Sequence, residues 1–493
     1  MNRKIEKECE CTLEYILPDY KGDIKRVLTA SAKGQNDGKF VGEDGVEVSG
    51  NVIFDVIYLD ANGEVSEFNT NGEYTSIMNF DMSGYDNSLL ESTVTSFNYR
   101  VTGPRKISLK AKILNSLDVN FTDEGEKCDF EGAECEKTSL LSYCPIFAEK
   151  RENEYNEDFN LDERGEGNIE IISSFGNVKI LSAEVGENYV NIKGEYIIGA
   201  IVKENEDNVF VIKKSIPFDE RVDVEGVYEG MPTVVSGTVT TLNVSMKDDL
   251  SRGLNLNFTS DLAVKVGKNK EKEIVSDGYY ENYNSVAEYE MQNVKSVEGM
   301  EQRLESVSFF FDNEKLGNSE IRDILALNAQ VQNYELVSGE LTGNIAFSGV
   351  ACEINDDGES VYSPLKLTTP FTLKVAEGNL RCNGTEREYS LKVVDTDFTV
   401  GDGGVYFTVL LEVKEENYKA SSVKKLKSLE KSGEEYQKDK SVYTVYFPEK
   451  NETLFEVAKK FSSTRERLAR DNSLTEDAIN SHGSTLPKRL IIS

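Results

Sequence analysis

The chain of 493 residues is long enough for three or four domains, and its hydrophobic (38%) and aromatic (9%) content can form packed cores. The formal net charge of −33 makes nucleic acid and anionic membranes unfavourable partners, since an acidic surface repels phosphate groups. The apolar run from Tyr196 to Val202, "YIIGAIV", suits a buried strand and is much too short to cross a bilayer. We therefore expect a folded chain without direct membrane insertion.

The first twenty residues do not predict an export signal. Glu6, Glu8 and Glu10 interrupt the region in which a signal peptide needs an unbroken apolar segment. We therefore expect the protein to be made in, and to stay in, the cytosol.

The cysteines are scattered along the chain and do not form the dense, even pattern of a secreted disulfide scaffold. They are Cys9, Cys11, Cys128, Cys135, Cys144, Cys352 and Cys382. Cys9 and Cys11 have no second pair at zinc-ligand spacing, so we predict free thiols and no metal site. Oxidative cross-linking in an exposed layer stays open as an alternative.

Three copies of one β-rich unit recur along the chain. They begin with "VEVSGNVIFDVIYLDANGEV" at Val46, "VNIKGEYIIGAIVKENEDNV" at Val190 and "GELTGNIAFSGVACEINDDGES" at Gly339. Each has a short strand, a glycine, a longer apolar strand and an acidic turn. The shared glycines, which lie 144 and 149 residues apart, are Gly50, Gly194 and Gly343. That period is the size of a domain rather than of a solenoid repeat.

The long strand of the first copy is apolar on both faces. One face holds Val52, Phe54, Val56 and Tyr58, and the other holds Ile53, Ile57 and Leu59. Such a strand belongs in the middle of a sheet or in a sandwich core. The turns "DANG" and "NDDG" contain residues that tolerate positive φ and indicate hairpins rather than calcium loops. With a lead-in and a closing strand in each copy, the sequence predicts a mainly β chain of three sequential antiparallel β-sandwich-like domains.

The domain boundaries follow from the repeats and from changes in composition. We predict a first β domain at 1–145, an acidic linker at 146–168, a second β domain at 169–313 and a third at 314–418. The segment that begins at Ser285 is expected to include a helix.

The charge changes sign near residue 419. Residues 419–440 contain seven Lys and four acidic residues, and residues 441–493 contain eight Lys or Arg and seven acidic residues, which leaves −37 for residues 1–418. The first of these segments is rich in Lys and Ser and poor in apolar residues, so we predict a tether at 419–440. The second is predicted to be a separate small domain at 441–493.

The last fifty residues predict the order strand, helix, helix, strand. Thr453 with Glu456, and Ser463 with Glu466, each have the spacing of a capping box that opens a helix. Apolar residues then recur at helical spacing at Leu454, Val457, Ala458 and Phe461. β-prone residues before the first helix and at the end of the chain supply the two strands, giving a small α+β (βααβ) domain.

At these residues the segment resembles the LysM family. The matching positions are Tyr443 to Val445, Thr453, Leu454, Val457 to Phe461, Leu468, Asn472, Leu474 and Leu490 to Ile492. In that family the ligand lies in a groove between the first strand–helix loop and the second helix–strand loop. The resemblance therefore implies a groove for a partner or a glycan at Lys450, Asn451, Glu452, Leu454, Phe455, Asn472, Ser473 and Leu474.

The groove departs from the family pattern at Asn451-Glu452, where Gly-Asp is usual, and at "STLPKRL", where a Pro-Gly turn is usual. Glycine has no Cβ and lets a sugar approach the backbone closely, so bulkier residues favour a protein ligand over N-acetylglucosamine. Both ligands stay open at this point.

The segment "EYILPDYKGDIKRVLTA" from Glu14, followed by the Gly50 hairpin, is similar to the repeated β domain DUF3794 of spore-forming Firmicutes. Repeated copies with one C-terminal LysM domain resemble the SipL-type spore-coat morphogenetic proteins. The resemblance implies a scaffold made in the mother-cell cytosol and recruited to the forespore surface. There its LysM domain would dock on SpoIVA, the ATPase that polymerises as the basement layer of the coat, and its β domains would contact other coat proteins.

The sequence contains no phosphate-binding loop, zinc-protease motif or nucleophile elbow. The single histidine, His482, falls in a predicted loop with no Cys, Asp or Ser arranged around it. We therefore predict no enzyme, no catalytic residue and no cofactor. Two alternatives stay open: a wall- or cortex-associated protein that binds peptidoglycan, and an intracellular structural protein unrelated to spores.

Overall fold

The computed structural model describes residues 2–122, 130–160, 169–204, 209–247, 253–316, 321–354, 360–375, 385–435, 443–475 and 486–492. The chain divides into two compact units. The first consists of Met1–Thr122, Cys144–Lys268 and Val297–Asn417, and the second consists of Asp123–Tyr143, Asn269–Ser296 and Tyr418–Ser493.

The strands come in three runs of six, separated by single strands. The first run is β1 (Asn2–Ile16), β2 (Ile24–Val41), β3 (Gly45–Asp60), β4 (Val65–Asn79), β5 (Tyr85–Gly103) and β6 (Lys106–Phe121), and β7 (Ala133–Tyr143) follows it. The second run is β8 (Ile146–Asn160), β9 (Glu170–Gly186), β10 (Tyr189–Lys203), β11 (Val209–Asp223), β12 (Thr233–Met246) and β13 (Gly253–Val266), followed by β14 (Asn269–Tyr280). The third run is β15 (Asn284–Asp312), β16 (Ile321–Val337), β17 (Glu340–Ile354), β18 (Ser360–Lys374), β19 (Thr385–Gly401) and β20 (Gly404–Ser432).

Each run folds in the same way into two three-stranded sheets. The repeated hairpin unit forms β2-β3-β4, β9-β10-β11 and β16-β17-β18. The first, last and fifth strands form β1-β6-β5, β8-β13-β12 and β15-β20-β19. In each run the two sheets bury one common apolar core, as in a β-sandwich. The prediction of a mainly β chain of antiparallel sheets is confirmed.

The repeated glycine makes room for an aromatic ring on the neighbouring strand. The cross-strand pairs are Gly50 with Tyr74, Gly194 with Phe218, and Gly343 with Phe371. A Cβ on any of these glycines would overlap that ring and a backbone oxygen of the strand on the other side. The glycine is therefore a packing requirement of the repeat, because the ring lies directly over its backbone.

Gly194→Ala is expected to lower the free energy of unfolding by about 1–3 kcal/mol, since the added methyl group overpacks the contact with Phe218. Denaturant unfolding of the full chain measures the change. The control is Gly38→Ala, where an added Cβ meets no atom within 4 Å and the change should stay within about 0.5 kcal/mol. Equal effects of the two substitutions would contradict the packing role.

The three sandwiches of the first unit close into a ring. Strand β4 lies beside β9, β11 beside β16, and β18 beside β2, so each hairpin sheet contacts the next and the third contacts the first. Where they meet, one shared core contains Leu28, Ile57, Val65, Ile172, Ile201, Val209, Leu325, Val350, Cys352 and Tyr362. Ile57, Ile201 and Val350 each lie seven residues after the glycine of their copy, so equivalent positions converge. This explains the second apolar face of the central strand.

A partly buried ion triplet also joins the three sandwiches. The Nζ of Lys265 on β13 lies 2.8 Å from Oδ2 of Asp118 on β6 and 2.8 Å from Oε2 of Glu416 on β20. Each of the three lies eleven residues after the first buried apolar side chain of its strand, which is Ile107, Leu254 or Val405. Equivalent positions therefore meet here as well, with one cation between two anions.

Segments expected to be linkers or helix are strands. Residues 146–160 of the expected acidic linker form β8, and residues 161–168 lie outside the described part of the chain. The helix expected after Ser285 is wrong, because this segment forms β15. Exposed and partly buried residues alternate from Asn284 to Glu290, which is the period of a strand.

The second unit begins with the pair β7-β14. The end of β20 also belongs to it: residues 419–432, expected to be a tether, continue this strand, and Leu426 and Leu429 are buried. Lys424 lies 3.4 Å from the ring centroid of Tyr289, and Lys431 lies 4.7 Å from that of Tyr280. The lysines that suggested a solvated tether thus cover tyrosine rings. Residues 436–440 lie outside the described part.

The second unit ends in four short elements, called here the C-terminal module. They are β21 (Thr444–Tyr446), α1 (Leu454–Lys460), α2 (Arg465–Asp471) and β22 (Leu490–Ile492), with β21 and β22 antiparallel. Among the residues that the structure describes, no helix has the length and apolar character needed to cross a membrane. The expected loop residue His482 lies outside this described part.

Candidate functional site

Side-chain caps set the start of both helices in the C-terminal module. The hydroxyl of Thr453 accepts a hydrogen bond from the Glu456 N–H at 3.1 Å, and the Glu456 carboxylate accepts one from the Thr453 N–H at 2.8 Å. This confirms the predicted capping box of α1. The predicted cap of α2, Ser463, is wrong by one residue, because Thr464 accepts the N–H of Arg467 at 3.2 Å. Ser463 is buried instead.

Two of the predicted groove residues belong to the core of the module. Leu454 and Phe455 are each 3% exposed and pack with Val457, Leu468 and Leu490. Leu474 lies partly buried against the same cluster. The structure therefore uses these three groove positions to hold the helices on the β21-β22 pair.

The loop before α1 makes a left-handed turn at a residue other than glycine. Asn451 has φ of 72°, a conformation that Asn adopts more readily than most residues. The carboxylate of Glu452 accepts hydrogen bonds from the Tyr446 hydroxyl at 2.9 Å and from the Glu449 N–H at 2.9 Å. Lys450 is exposed. Asn451 and Glu452 thus form a left-handed turn and fill the loop with the module's own side chains.

The loop after α2 is tied to the last strand by Asn472. Its amide donates to the carbonyl oxygens of Leu468 at 2.9 Å and of Ile491 at 2.7 Å, and its oxygen accepts the Ile491 N–H at 2.6 Å. Ser473 follows in a left-handed conformation and is exposed. Of the eight predicted groove residues, only Lys450, Asn451 and Ser473 have exposed side chains.

The C-terminal module is docked on β14 through an aromatic contact that the sequence analysis missed. The ring of Tyr279 packs edge-on against Phe455, with centroids 5.3 Å apart, and its hydroxyl donates to the Ser463 carbonyl at 2.6 Å. Tyr279 is 3% exposed. No sequence signal indicates this pair, because its members are 176 residues apart and neither belongs to a motif with the other.

Three cations of the module reinforce the docking. Lys459 contacts Asp277 at 2.5 Å, Arg465 contacts Glu134 at 3.2 Å, and Arg467 contacts Glu281 at 3.6 Å. Arg465 also donates to the Cys135 carbonyl at 3.0 Å. In the sequence, the change of charge near residue 419 is a signal of this contact. The module is richer in cations than residues 1–418, and it packs on an acidic sheet.

Asp277 lies at the centre of this contact. Burial acts to raise the pKa of its carboxyl, but hydrogen bonds from Lys459, Tyr289 and the Gly278 N–H outweigh burial and lower that pKa. Burial, together with the hydrogen bond that it donates to Asp277, raises the pKa of the Tyr289 hydroxyl to about 12. The ionised form of Asp277 therefore stabilises the docked module.

This contact should make the stability of the second unit depend on pH. The contribution of Asp277 is fully present above the unfolded pKa of about 4 and is lost as the pH falls through the lower folded pKa. Asp277→Asn should thus lower the free energy of unfolding by about 1–3 kcal/mol at pH 7, with the difference shrinking below about pH 4. Denaturant unfolding at several pH values measures this. The exposed Asp19→Asn is the control, and a difference that does not vary with pH would contradict the assignment.

Comparison with known proteins finds a family match for one domain of the chain. The family model described as SipL, SPOCS domain, matches residues 169–247, which hold strands β9 to β12 of the second sandwich. No curated protein and no solved structure matches the chain. The match supports a SipL-like, sporulation-related protein.

Proposed function

We propose that the protein is a non-enzymatic scaffold of spore-envelope assembly. The observation that carries this proposal is the SipL, SPOCS domain match at residues 169–247. The first and third sandwiches repeat the topology of the matched one, so the chain offers three related surfaces to other coat proteins. On this proposal the chain is made in the mother-cell cytosol and recruited to the forespore surface.

The C-terminal module supplies the docking function in this proposal. Its order β21-α1-α2-β22 and its capping box support a LysM fold. Its two loops support a protein ligand rather than a sugar, because Glu452 is bound to Tyr446 and Asn472 is bound to Ile491. The proposed partner is a coat basement protein of the SpoIVA type.

Direct binding tests this function. We expect the purified full chain to bind an immobilised SpoIVA-type basement protein, and the chain lacking residues 441–493 to bind at least roughly tenfold more weakly, as when a whole docking element is removed. Because the deletion uncovers Tyr279, far-ultraviolet circular dichroism must show that the remaining strands stay folded. Unchanged binding after the deletion would contradict the role of the module.

Peptidoglycan binding is the second candidate. Tyr443 and Phe447 of the module are 66% and 68% exposed, and aromatic rings of this kind can pack on apolar surfaces of a ligand while staying partly wet. Titration of the full chain with chitin oligomers separates the two functions. The scaffold proposal expects no saturable binding of these oligomers.

A further inference from the structure

The C-terminal module has an exposed apolar surface outside the predicted groove, called here the outer sheet face. Tyr443, Val445 and Phe447 occupy alternate positions within β21 and directly on either side of it. Ile491 lies directly opposite Val445 in the β21-β22 pair. Their exposed fractions are 66%, 55%, 68% and 43% in that order. Four adjoining large apolar side chains that face water in so small a module indicate a binding surface rather than a packing face.

The opposite side of the β21-β22 pair is already used within the module's own unit. Leu490 and Ile492 alternate with Ile491 and face the helices, and both are buried. The helices in turn contact β14 and its neighbours through Phe455, Lys459 and Arg465. An apolar segment of a partner therefore finds its contact area on the outer sheet face.

The charges around this face are mainly basic. Lys488 and Arg489 are exposed, and Arg489 lies two residues before Ile491, on the same side of the strand. Lys450 is exposed in the adjoining loop, where Glu449 is the exposed acidic residue. Among the described residues beside β21 and β22, these three exposed cations against one exposed anion contrast with the net charge of −33 of the chain. The surroundings of the face thus complement an acidic partner.

We propose that the protein partner binds on the outer sheet face as an extended segment, with apolar side chains on Val445 and Ile491 and carboxylates beside Lys488 and Arg489. Among the described residues β21 pairs with β22 alone, so an extended segment can also add a strand at an open edge of this pair. This inference rests on the proposed function and moves its contact site from the groove to the sheet.

Matched variants of the full chain test the location against the same immobilised basement protein. Val445→Ser with Ile491→Ser should weaken binding roughly 30-fold, as expected when central apolar anchors are removed. Lys488→Glu with Arg489→Glu should weaken it roughly tenfold and reduce its dependence on salt. The groove controls Asn451→Gly and Ser473→Ala should stay within about twofold. Phe447→Ala, outside the paired residues, should also weaken binding, so the test does not depend on a substitution within the strands.

The outcomes separate the two proposals. If the groove variants weaken binding and the face variants do not, the outer sheet face is overturned while the scaffold function stands. If the unaltered chain does not bind the basement protein, the scaffold function fails and the face loses its partner. Binding of chitin oligomers that the face variants abolish would assign the face to glycan and overturn the protein segment. Loss of self-association in the face variants, measured by sedimentation, would assign it to a second copy and also overturn the proposal.

Discussion

Ile201→Asp is expected to destabilise the first unit by more than about 4 kcal/mol, because it places a carboxylate without a partner in the shared core of the three sandwiches. Ile201 is 2% exposed and packs among equivalent residues of the other two copies. Denaturant unfolding of the full chain measures the loss. Ile201→Val keeps the core apolar and should cost about 0.5–1.5 kcal/mol.

A surface substitution makes this prediction specific. Leu181 belongs to the same sandwich but is 52% exposed, so Leu181→Asp should change the free energy of unfolding by no more than about 0.5 kcal/mol. If Ile201→Asp behaved like Leu181→Asp, the three sandwiches would not share a core. A loss confined to the second sandwich, seen as a separate unfolding transition, would show that the copies fold independently.

Tyr279→Ala is expected to release the C-terminal module from β14. The substitution removes the ring that packs on Phe455 and the hydrogen bond to the Ser463 carbonyl, which should cost about 3–5 kcal/mol in the second unit. Hydrogen exchange followed by mass spectrometry should show faster exchange in the peptides of α1 and α2. Exchange in the first sandwich should not change.

A conservative variant separates the contribution of the Tyr279 ring from that of its hydroxyl group. Tyr279→Phe keeps the packing on Phe455 and loses only the hydrogen bond, so it should cost about 1 kcal/mol and leave the module docked. Undisturbed exchange in α1 and α2 of Tyr279→Ala would show that the ion pairs, led by Lys459 with Asp277, hold the module without the aromatic contact.

The sequence predicted a helix or strand correctly where residues close together in the chain determine it. The strand periods and the capping box of Thr453 each involve neighbours within a few residues, and both are present in the structure. The helix expected after Ser285 failed because polar and apolar residue types are mixed along this segment. Its strand period appears only in the burial that pairing with a distant strand produces. The tether at 419–432 failed because lysine stems can cover tyrosine rings that composition does not reveal.

The sequence did not predict which side chains of the candidate site are exposed. Only contacts across the fold show that Asn472 is bound to Ile491. The docking of Phe455 on Tyr279 joins segments far apart in the chain, and no pattern within either segment encodes it. The outer sheet face could have been noticed from the alternation of Tyr443, Val445 and Phe447 at the start of the module.

The ion triplet shows what is gained when three copies share one polypeptide. Three identical subunits around a threefold axis would place the same charge three times at the position of Asp118, Lys265 and Glu416, and the like charges would repel one another. Copies joined in one gene can diverge, so one of them supplies a cation to two carboxylates. The stoichiometry of the ring is then encoded covalently and does not depend on protein concentration, unlike that of a dissociable trimer. Dilution cannot take this assembly apart, and each copy is free to specialise without losing its neighbours.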